Sequence, residues 1–238
     1  MSTHISENDD RRKVEIGEPL KNLLRKALAM TALTLVTLCV NAQTPPVSTP
    51  TADVPDLGSV SGTTYTNNYF GLTLIVPAGW SVQDSNFKKQ ISDKGKELFT
   101  SDDPTKKSEI NRAVDRTLNL LTVTERPPGE PGPFGMFISA AEKPPTGVKT
   151  DAGYMLALKN TLKYSQVPIT IERDVYTEQI GGATFSVLDF KTDFSGVIVT
   201  QKYFAHIVKD YVLFFIITYT TPEQLQTETK VLKSIVLK

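Results

Sequence analysis

The stretch Tyr69-Phe-Gly-Leu-Thr-Leu-Ile-Val-Pro-Ala-Gly-Trp80 predicts a strand that ends in a turn. Apolar residues recur at every second position from Leu72 to Val76, which is the pattern of a strand with one buried face. Pro77 has no N–H to continue a ladder, and Ala78-Gly79 then favours a turn. We expect this turn to place Trp80, the only tryptophan of the chain, against the core.

The composition of the 238-residue chain is that of a globular protein, because 39% of the residues are apolar and 22% are charged. Lysine plus arginine and aspartate plus glutamate balance at 26 each. The chain therefore lacks the positive field that nucleic-acid binders use to hold phosphates, and we exclude nucleic acid as a partner. It also has no phosphate loop and no dinucleotide-binding glycine motif, so we expect no cofactor.

Residues 1–42 have the pattern of an export signal with a long amino-terminal region. The positive segment Lys21–Lys26 precedes the uncharged apolar run Ala27–Val40, and small residues then favour cleavage between Ala42 and Gln43. An apolar run of about 14 residues is shorter than the ~20 that span a bilayer, which favours a cleaved leader over an uncleaved anchor. We expect an exported bacterial protein, periplasmic or secreted, that meets the membrane only through this leader.

The only cysteine, Cys39, lies inside the leader. Cleavage would leave a mature chain without thiols, which excludes a disulfide framework, a zinc–thiolate site and a cysteine nucleophile. Lipid attachment at Cys39 is disfavoured because the bulky Leu38 precedes it. Residues 43–63 follow as a linker rich in proline, threonine and serine, and residues 64–238 form the predicted domain.

Four stretches of the domain have helical periodicity. The second and the fourth begin with proline at the first helical position, in Asp103-Pro104 and in the capping box Thr221–Gln224. The third runs from Thr150 to about Tyr164, and Gly95 weakens the first. The predicted inward residues are Phe87, Ile91 and Leu98; Ile110, Ala113 and Val114; Met155, Leu158 and Leu162; and Leu225, Val231, Leu232 and Ile235.

Three hairpins are predicted, closed by the proline-rich segment Pro127–Pro133, by Gly181-Gly182 and by Lys209-Asp210. Val212–Ile217 is apolar without alternation, so both faces of that strand must be covered. The sequence therefore predicts an α+β fold, with a central antiparallel sheet and helices on both faces. The paired strands are Leu118–Glu125 with Gly135–Ala141, Pro168–Gln179 with Ala183–Lys191, and Val197–Val208 with Tyr211–Thr220.

Three features of the chain together resemble the PsbP-like family. They are Tyr69–Leu72 with Pro77–Trp80, the hairpin at Ile180-Gly181-Gly182, and Tyr211–Tyr219 followed by a terminal helix. The family is named for the extrinsic PsbP subunit of the oxygen-evolving complex and shares its fold with the Mog-type Ran-binding protein. The resemblance spans roughly Tyr65–Leu237 and implies an α/β/α sandwich that serves as a binding or assembly module. The matching motifs are structural and carry no catalytic signature.

Residues for catalysis or metal binding are few. His206 is the only histidine outside the leader, and it would be the base for Ser195 with Asp189 as the acid. The segment around Ser195 lacks the first glycine of a nucleophile elbow, and His206 shares a predicted strand face with Phe204, so we expect a half-buried structural histidine. No metal site is predicted, because these carboxylates lack calcium-loop spacing: Asp102, Asp103, Glu172, Glu178, Asp189 and Asp193.

Two functions from different classes remain. The first is a non-enzymatic module that engages a protein partner in the cell envelope, since no catalytic constellation is present. The second is a small-molecule binding protein with an apolar pocket between sheet and helices, for which Trp80, Phe204 and His206 are candidate ligand-binding residues. A hydrolase with paired carboxylates is a third and weaker alternative. The oligomeric state is not predicted.

Overall fold

The computed structural model describes residues 55–127, 130, 135–194 and 196–238. The predicted leader, the cleavage site between Ala42 and Gln43, most of the linker and most of the proline-rich segment lie outside the described residues. Within them the chain forms an α+β fold around an antiparallel sheet of eight strands, with helices on both faces, as predicted. No helix in the described ranges is long and apolar enough to span a bilayer.

The described part of the chain contains twelve strands and four helices. The strands are β1 Ser59–Ser61, β2 Thr64–Asn67, β3 Leu72–Ile75, β4 Ser81–Val82, β5 Leu118–Thr124, β6 Met136–Glu142, β7 Ile169–Thr170, β8 Tyr176–Ile180, β9 Ala183–Phe194, β10 Val197–Val208, β11 Tyr211–Tyr219 and β12 Val236–Leu237. The helices are α1 Ser85–Leu98, α2 Pro104–Arg116, α3 Asp151–Thr161, which a 3₁₀ turn over Leu162–Tyr164 continues, and α4 Pro222–Ser234.

The large sheet has the order β4-β5-β6-β11-β10-β9, and both β7 and β8 pair with β9. All three predicted hairpins are confirmed: β5 pairs with β6, β8 with β9, and β10 with β11. In the β10–β11 turn, Lys209 and Asp210 both have positive φ, 49° and 62°. This is the backbone that a two-residue hairpin turn needs in order to match the twist of its strands.

The prediction of one continuous strand over Pro168–Gln179 is wrong. The three consecutive charged residues Glu172, Arg173 and Asp174 are exposed and separate β7 from β8. Glu172 pairs with Lys191, and Arg173 pairs with Asp189. Between β7 and β8 the backbone leaves its pairing with β9, and the three charged side chains remain in solvent.

Strand β11 separates two cores. Val212, Phe214 and Ile216 lie in the core beneath α1, α2 and α3. The alternate residues, from Leu213 to Ile217, lie in the core beneath α4 and a second, smaller sheet. The two-sided burial predicted from the unbroken apolar run is therefore confirmed, since every residue of Val212–Ile217 is at most 2% exposed.

The smaller sheet has the order β1-β2-β3-β12 and was not predicted as a separate sheet. Its first strand lies inside the segment 43–63 that the sequence predicts as a linker. The Tyr65 hydroxyl donates to the Leu57 carbonyl (2.8 Å), and the Asn67 side-chain amide donates to the Asp56 carbonyl (2.8 Å), so the residues before β1 are held in place. The folded domain therefore includes β1 and begins before residue 64.

The stretch Tyr69–Trp80 joins the smaller sheet to the large one. Leu72 and Leu74 of β3 are fully buried, and Trp80 follows a turn closed by its N–H bond to the Pro77 carbonyl (3.1 Å), as predicted. Gly71 accepts a hydrogen bond from the Lys238 N–H (3.1 Å), which ties the last residue of the chain to the start of β3.

We predict that Gly71→Ala destabilises the domain more than Gly79→Ala does. Both glycines have positive φ, 61° and 81°, so each alanine costs about 1–2 kcal/mol from the left-handed backbone. A Cβ at Gly71 would also lie 2.4 Å from the Lys238 carbonyl oxygen, whereas a Cβ at Gly79 meets nothing within 4 Å. Urea denaturation of the two variants measures the difference, and equal losses in the free energy of unfolding would contradict the close approach of β12 to Gly71.

Candidate functional site

An open cleft lies between α4 and strands β8, β10 and β11, on the face of the large sheet that α4 covers. Its volume is ≈ 460 Å³. The floor is aliphatic, and the rim carries two lysines and one glutamate. The floor residues are Ile180, Ile217, Leu225 and Leu232, and the charged rim residues are Glu178, Lys202 and Lys233. The cleft therefore joins an apolar surface to a short charged edge.

Helix α4 forms one wall of the cleft. It begins at the capping box predicted from the sequence: the Gln224 N–H donates to the Thr221 hydroxyl (3.3 Å), and the Gln224 side-chain oxygen accepts from the Thr221 N–H (3.2 Å). Leu225, Thr229 and Leu232 follow at helical spacing and line the cleft. The cap fixes where the helix starts, and so it fixes which side chains form this wall.

Lys202 is the most constrained charge on the rim. Its side chain is 17% exposed, and its Nζ donates to Glu178 Oε1 at 3.0 Å. The same Nζ lies 5.4 Å from the Phe204 ring centre and 5.7 Å from that of Tyr176. A carboxylate on one side and two ring faces therefore hold the ammonium in position.

A network of polar side chains adjoins Lys202 on the neighbouring strands. Asp189 of β9 stands directly opposite Lys202 of β10. The Tyr176 hydroxyl donates to Asp189 Oδ2 (3.3 Å), and the Arg173 guanidinium carbon lies 3.2 Å from the Tyr176 ring centre. Burial, together with the negative charges of Asp189 and Glu178, raises the pKa of Tyr176, so its hydroxyl remains protonated and acts as a donor.

A buried polar cluster lies between α4 and the start of β6. Glu228 is fully buried, and its Oε1 accepts from the Met136 N–H at 2.7 Å. Its Oε2 makes no close hydrogen bond among the described residues, although the Thr218 backbone lies near enough to lower the pKa of the carboxyl. Nearby, Glu125 Oε2 accepts from the Gln224 side-chain amide (2.7 Å) and from the Gly135 N–H (3.1 Å). These bonds attach α4 to the β5–β6 hairpin.

Trp80 closes this cluster. It is half-buried and packs against the core beneath α4. A side chain at Gly135 would come within 3.1 Å of both the Trp80 ring and Glu228 Oε1, so the glycine leaves the room that the indole and the carboxyl occupy. Burial raises the pKa of Glu228 well above its ordinary value, and the negative charge of Glu125 adds to the rise.

The predicted ligand-binding residues do not come together at the cleft. Trp80 lies beside the Glu228 cluster, and Phe204 is fully buried in the core beneath α4. His206 is half-buried: its Nδ1 is 3.1 Å from Asp151 Oδ2, and its ring packs against Phe185. The three residues lie outside the lining of the cleft.

Asp151 accounts for the position of His206. Its Oδ1 accepts from the Ile207 N–H of β10 at 2.8 Å. The β9–β10 ladder ends at the pair Ala205–Ser186, so Asp151 supplies an acceptor where β9 no longer does. Ser195, the hydroxyl considered for catalysis, lies outside the described residues. The histidine–aspartate pair is therefore explained by the need to cap a strand.

The carboxylates considered for calcium have other contacts. Asp103 caps α2 through the Thr105 N–H, Asp193 accepts from the Gly196 N–H, and Glu178 pairs with Lys202. Across the part of the chain that the structure describes, no group of three or more histidine, cysteine, aspartate and glutamate residues is placed to hold a metal ion. A second depression, of ≈ 380 Å³ between α1 and α2, is lined by polar residues such as Lys96 and Asn111.

Sequence reasoning missed both the cleft and the Glu228 cluster. Glu228 could have been found, because it lies three residues after Leu225 and three before Val231, on the inward stripe of α4. A charged residue at a core position indicates a buried polar contact. Lys202 and Lys233 had no such signal, because they come together only when β10 and α4 pack.

Comparisons with known proteins concern the fold. No protein-family model matches the chain, and no curated protein matches it. It is similar to the solved structure of PsbP from the cyanobacterium Synechocystis sp. PCC 6803, with 11% identity, a TM-score of 0.44, and coverage of 76% of this chain and 99% of that chain. A PsbP structure is thus among the similar folds, as the sequence resemblance predicted.

Two further structures are similar. LpqN of Mycobacterium tuberculosis, which is involved in cell envelope biogenesis, has 14% identity and a TM-score of 0.42, covering 70% of this chain and 83% of its own. PA94 of Pseudomonas aeruginosa, a protein of unknown function, has 17% identity and a TM-score of 0.38, covering 49% of this chain and 81% of its own. With TM-scores below 0.5, these likenesses carry nothing about activity, ligand or partner.

We predict that Glu228→Gln changes the pH dependence of stability. The raised pKa means that the folded state keeps a proton which the unfolded chain releases above about pH 4.5, so this group makes the protein less stable as pH rises from there towards the folded pKa. Glutamine keeps the acceptor for Met136 and cannot ionise, although its amide group places N–H donors where Oε2 lies. The variant should therefore gain stability relative to the parent between pH 4 and pH 8.

Glu223→Gln on the same helix is the control. Glu223 is exposed, and its pKa is lowered by its own backbone N–H and by Thr221, so its removal should reduce stability at pH 8. Thermal unfolding at both pH values measures the two effects. A difference in stability between Glu228→Gln and the parent that is the same at pH 4 and pH 8 would contradict a raised pKa of the buried carboxyl.

Proposed function

We propose that this domain is a non-catalytic binding module of an exported protein, and that it takes a small, largely apolar molecule in the cleft between α4 and strands β8, β10 and β11. The observation that supports this proposal is the cleft itself, ≈ 460 Å³ in volume, in a face of the sheet that is otherwise covered. Ligand sites of small molecules fall in the range of about 300–1,000 Å³ and are mostly apolar with a few polar groups. The cleft falls in this size range, and its lining combines four aliphatic side chains with five polar or charged ones.

The side chains that line the cleft differ in their exposure. Leu225 and Thr229 are half-buried, whereas Leu232 and Ile217 beneath them are buried. A ligand on this floor would remove the half-buried aliphatic surface from water, at roughly 25 cal/mol for each Å². An apolar ligand would therefore cover side-chain surface of α4 that is partly exposed in the free protein.

The paired-carboxylate hydrolase is disfavoured by the same geometry. Glu178 and Asp189 both lie near Tyr176, but each forms an ion pair, with Lys202 and with Arg173. A second close pair, Glu125 and Glu228, accepts from the adjacent N–H groups of Gly135 and Met136. Glu228 is fully buried and Trp80 packs over the glycine beside it, so a substrate cannot reach its carboxyl. The pair is better explained as the attachment of α4 to the β5–β6 hairpin.

Export is supported by the sequence pattern of residues 1–42 and by the linker after it. A cleaved leader would leave the binding module at the end of a linker rich in proline and threonine, free to reach ligands or partners outside the cytoplasm.

A protein partner in the cell envelope is the second candidate, and the outer face of the smaller sheet favours it. Two rows of residues that are neighbours across the strands lie on this face, and neither row contains a charged residue. They are Ser59, Thr66, Thr73 and Val236, and Ser61, Thr64 and Ile75. Ile75 and Val236 are 46% and 44% exposed. An uncharged face of this kind suits contact with another protein.

Blocking the cleft should abolish ligand binding. N-phenyl-1-naphthylamine is a neutral apolar dye that becomes fluorescent when bound, and we expect it to bind the parent protein. Thr229→Trp fills the middle of the α4 wall and should remove this signal, whereas Gln226→Trp places the same ring on an exposed position of α4 outside the lining and should not. Equal dye binding by both variants would contradict the location of the site.

The second candidate has its own test. Ile75→Lys combined with Val236→Lys places two charges on the outer face of the smaller sheet and should abolish co-purification of a partner from envelope extracts. Ile198→Lys, at an equally exposed apolar position of β10, is the control and should not. Identical recovery from both variants, as measured by quantitative mass spectrometry, would rule out this face as the contact.

A further inference from the structure

The rim of the cleft indicates the class of ligand, and this step rests on the proposed function. We propose that the ligand is a single-chain alkyl carboxylate, with its carboxylate bound by Lys202 and Lys233 and its alkyl chain on the aliphatic floor. Each part of this assignment follows from a different feature of the lining.

Lys202 has hydrogen-bonding capacity left over. A lysine ammonium carries three N–H donors. In the described part of the chain, Glu178 Oε1 is the hydrogen-bond acceptor found for Lys202 Nζ, although the side chain is only 17% exposed. Two donors of a nearly buried ammonium therefore remain for an incoming acceptor. A carboxylate supplies two oxygens for them.

The ammonium is also held in place before a ligand arrives. Glu178 and the faces of the Phe204 and Tyr176 rings fix Lys202 Nζ. Ordering a long side chain on binding costs about 0.5–1.5 kcal/mol, and that cost is largely avoided here. Most of the favourable contact with an anion is then available as affinity.

Lys233 decides the sign of the charge that the cleft prefers. Glu178 balances Lys202, whereas Lys233 is exposed and forms no ion pair within the ranges that the structure describes. The lining therefore carries one positive charge in excess, which attracts a monoanion and disfavours a cation. It contains no arginine, the side chain whose planar fork suits phosphate groups. A carboxylate head fits this rim better than a phosphate.

The floor indicates an alkyl chain. Ile180, Ile217, Leu225 and Leu232 are aliphatic, and the lining includes no aromatic ring on which a sugar or a flat ring system could stack. One water takes up about 30 Å³ of liquid volume, so a cleft of ≈ 460 Å³ holds on the order of a dozen non-hydrogen atoms. Decanoate is an alkyl carboxylate of this size.

The test compares three probes with the same alkyl chain: decanoate, decanol and decyltrimethylammonium. Each competes with N-phenyl-1-naphthylamine for the protein expressed from the full sequence, at pH 7.5 and below the concentration at which the probe forms micelles. We expect decanoate to displace the dye at a concentration about tenfold lower than decanol does, as one charge-assisted hydrogen bond would give. Decyltrimethylammonium should be the weakest competitor.

Variants locate the head group. Lys202→Gln and Lys233→Gln should each weaken decanoate about fivefold or more, and should leave competition by decanol unchanged. Lys230→Gln removes an exposed lysine of α4 that does not line the cleft, and it should change neither. Because decanol carries no charge, an altered fold would weaken both probes and is distinguished from loss of the ionic head-group contact.

Each alternative result has a definite meaning. If decanol competes as well as decanoate, the carboxylate assignment is overturned while the apolar cleft stands. If the dye fails to bind the parent protein, the proposed function and this inference both fall. If Lys230→Gln weakens decanoate as much as Lys202→Gln does, the preference is a general effect of surface charge, and the assignment of the rim lysines is overturned.

Discussion

Strand β11 must be buried on both faces, and the rest of the fold follows from that requirement. Its central residues, Val212–Ile217, are apolar without interruption, so water must be excluded from two sides of one sheet. Helices α1, α2 and α3 cover the first side, while α4 and the smaller sheet cover the second. The second cover is made of two different elements, and the cleft lies where α4 leaves part of the sheet open.

Helix α4 has a structural side and a side that faces the cleft. On the structural side, Gln224 and Glu228 bind the ends of the β5–β6 hairpin through Glu125 and Met136. On the adjacent face, Leu225 and Thr229 line the cleft. Because buried hydrogen bonds hold α4 in place, this neighbouring face keeps its distance from the sheet, and a ligand would meet a site that is already formed. Ionisation of the buried Glu228 carboxyl would lower stability, whereas its hydrogen bond from the Met136 N–H helps to hold the helix on which the proposed site depends.

Most elements of the fold could be predicted from the sequence because their signals are local. The proline and capping residues at Asp103-Pro104 and Thr221–Gln224 mark helix starts, and Gly181-Gly182 and Lys209-Asp210 mark hairpins. The smaller sheet could not be predicted, since β12 joins β3 across most of the chain length and two-residue strands have no periodicity. Pro168–Gln179 was predicted as one strand because residues of strand type stand on both sides of its three charged residues. Those charged residues separate β7 from β8 in the structure.

The candidate site was harder to predict than the fold for the same reason. Lys202 and Lys233 belong to a strand and a helix that are separate in sequence, and neither residue stands out from the other lysines until those elements pack. The aromatic candidates Trp80 and Phe204 were chosen for their residue type, and the structure uses both in packing. The type of a residue indicates which contacts its side chain can make. Whether that side chain lines the cleft depends on how the strands and α4 pack.

Native mass spectrometry of the protein taken directly from the cells that make it tests the central claim most directly. The mass of the intact folded protein is compared with that of the denatured chain from the same sample. The account predicts a small-molecule adduct that is present in the folded protein, is lost on denaturation and ionises as a carboxylate. A folded mass equal to that of the bare chain, or equal to the chain plus a second protein, would contradict a ligand in the cleft and would favour the protein-partner function instead.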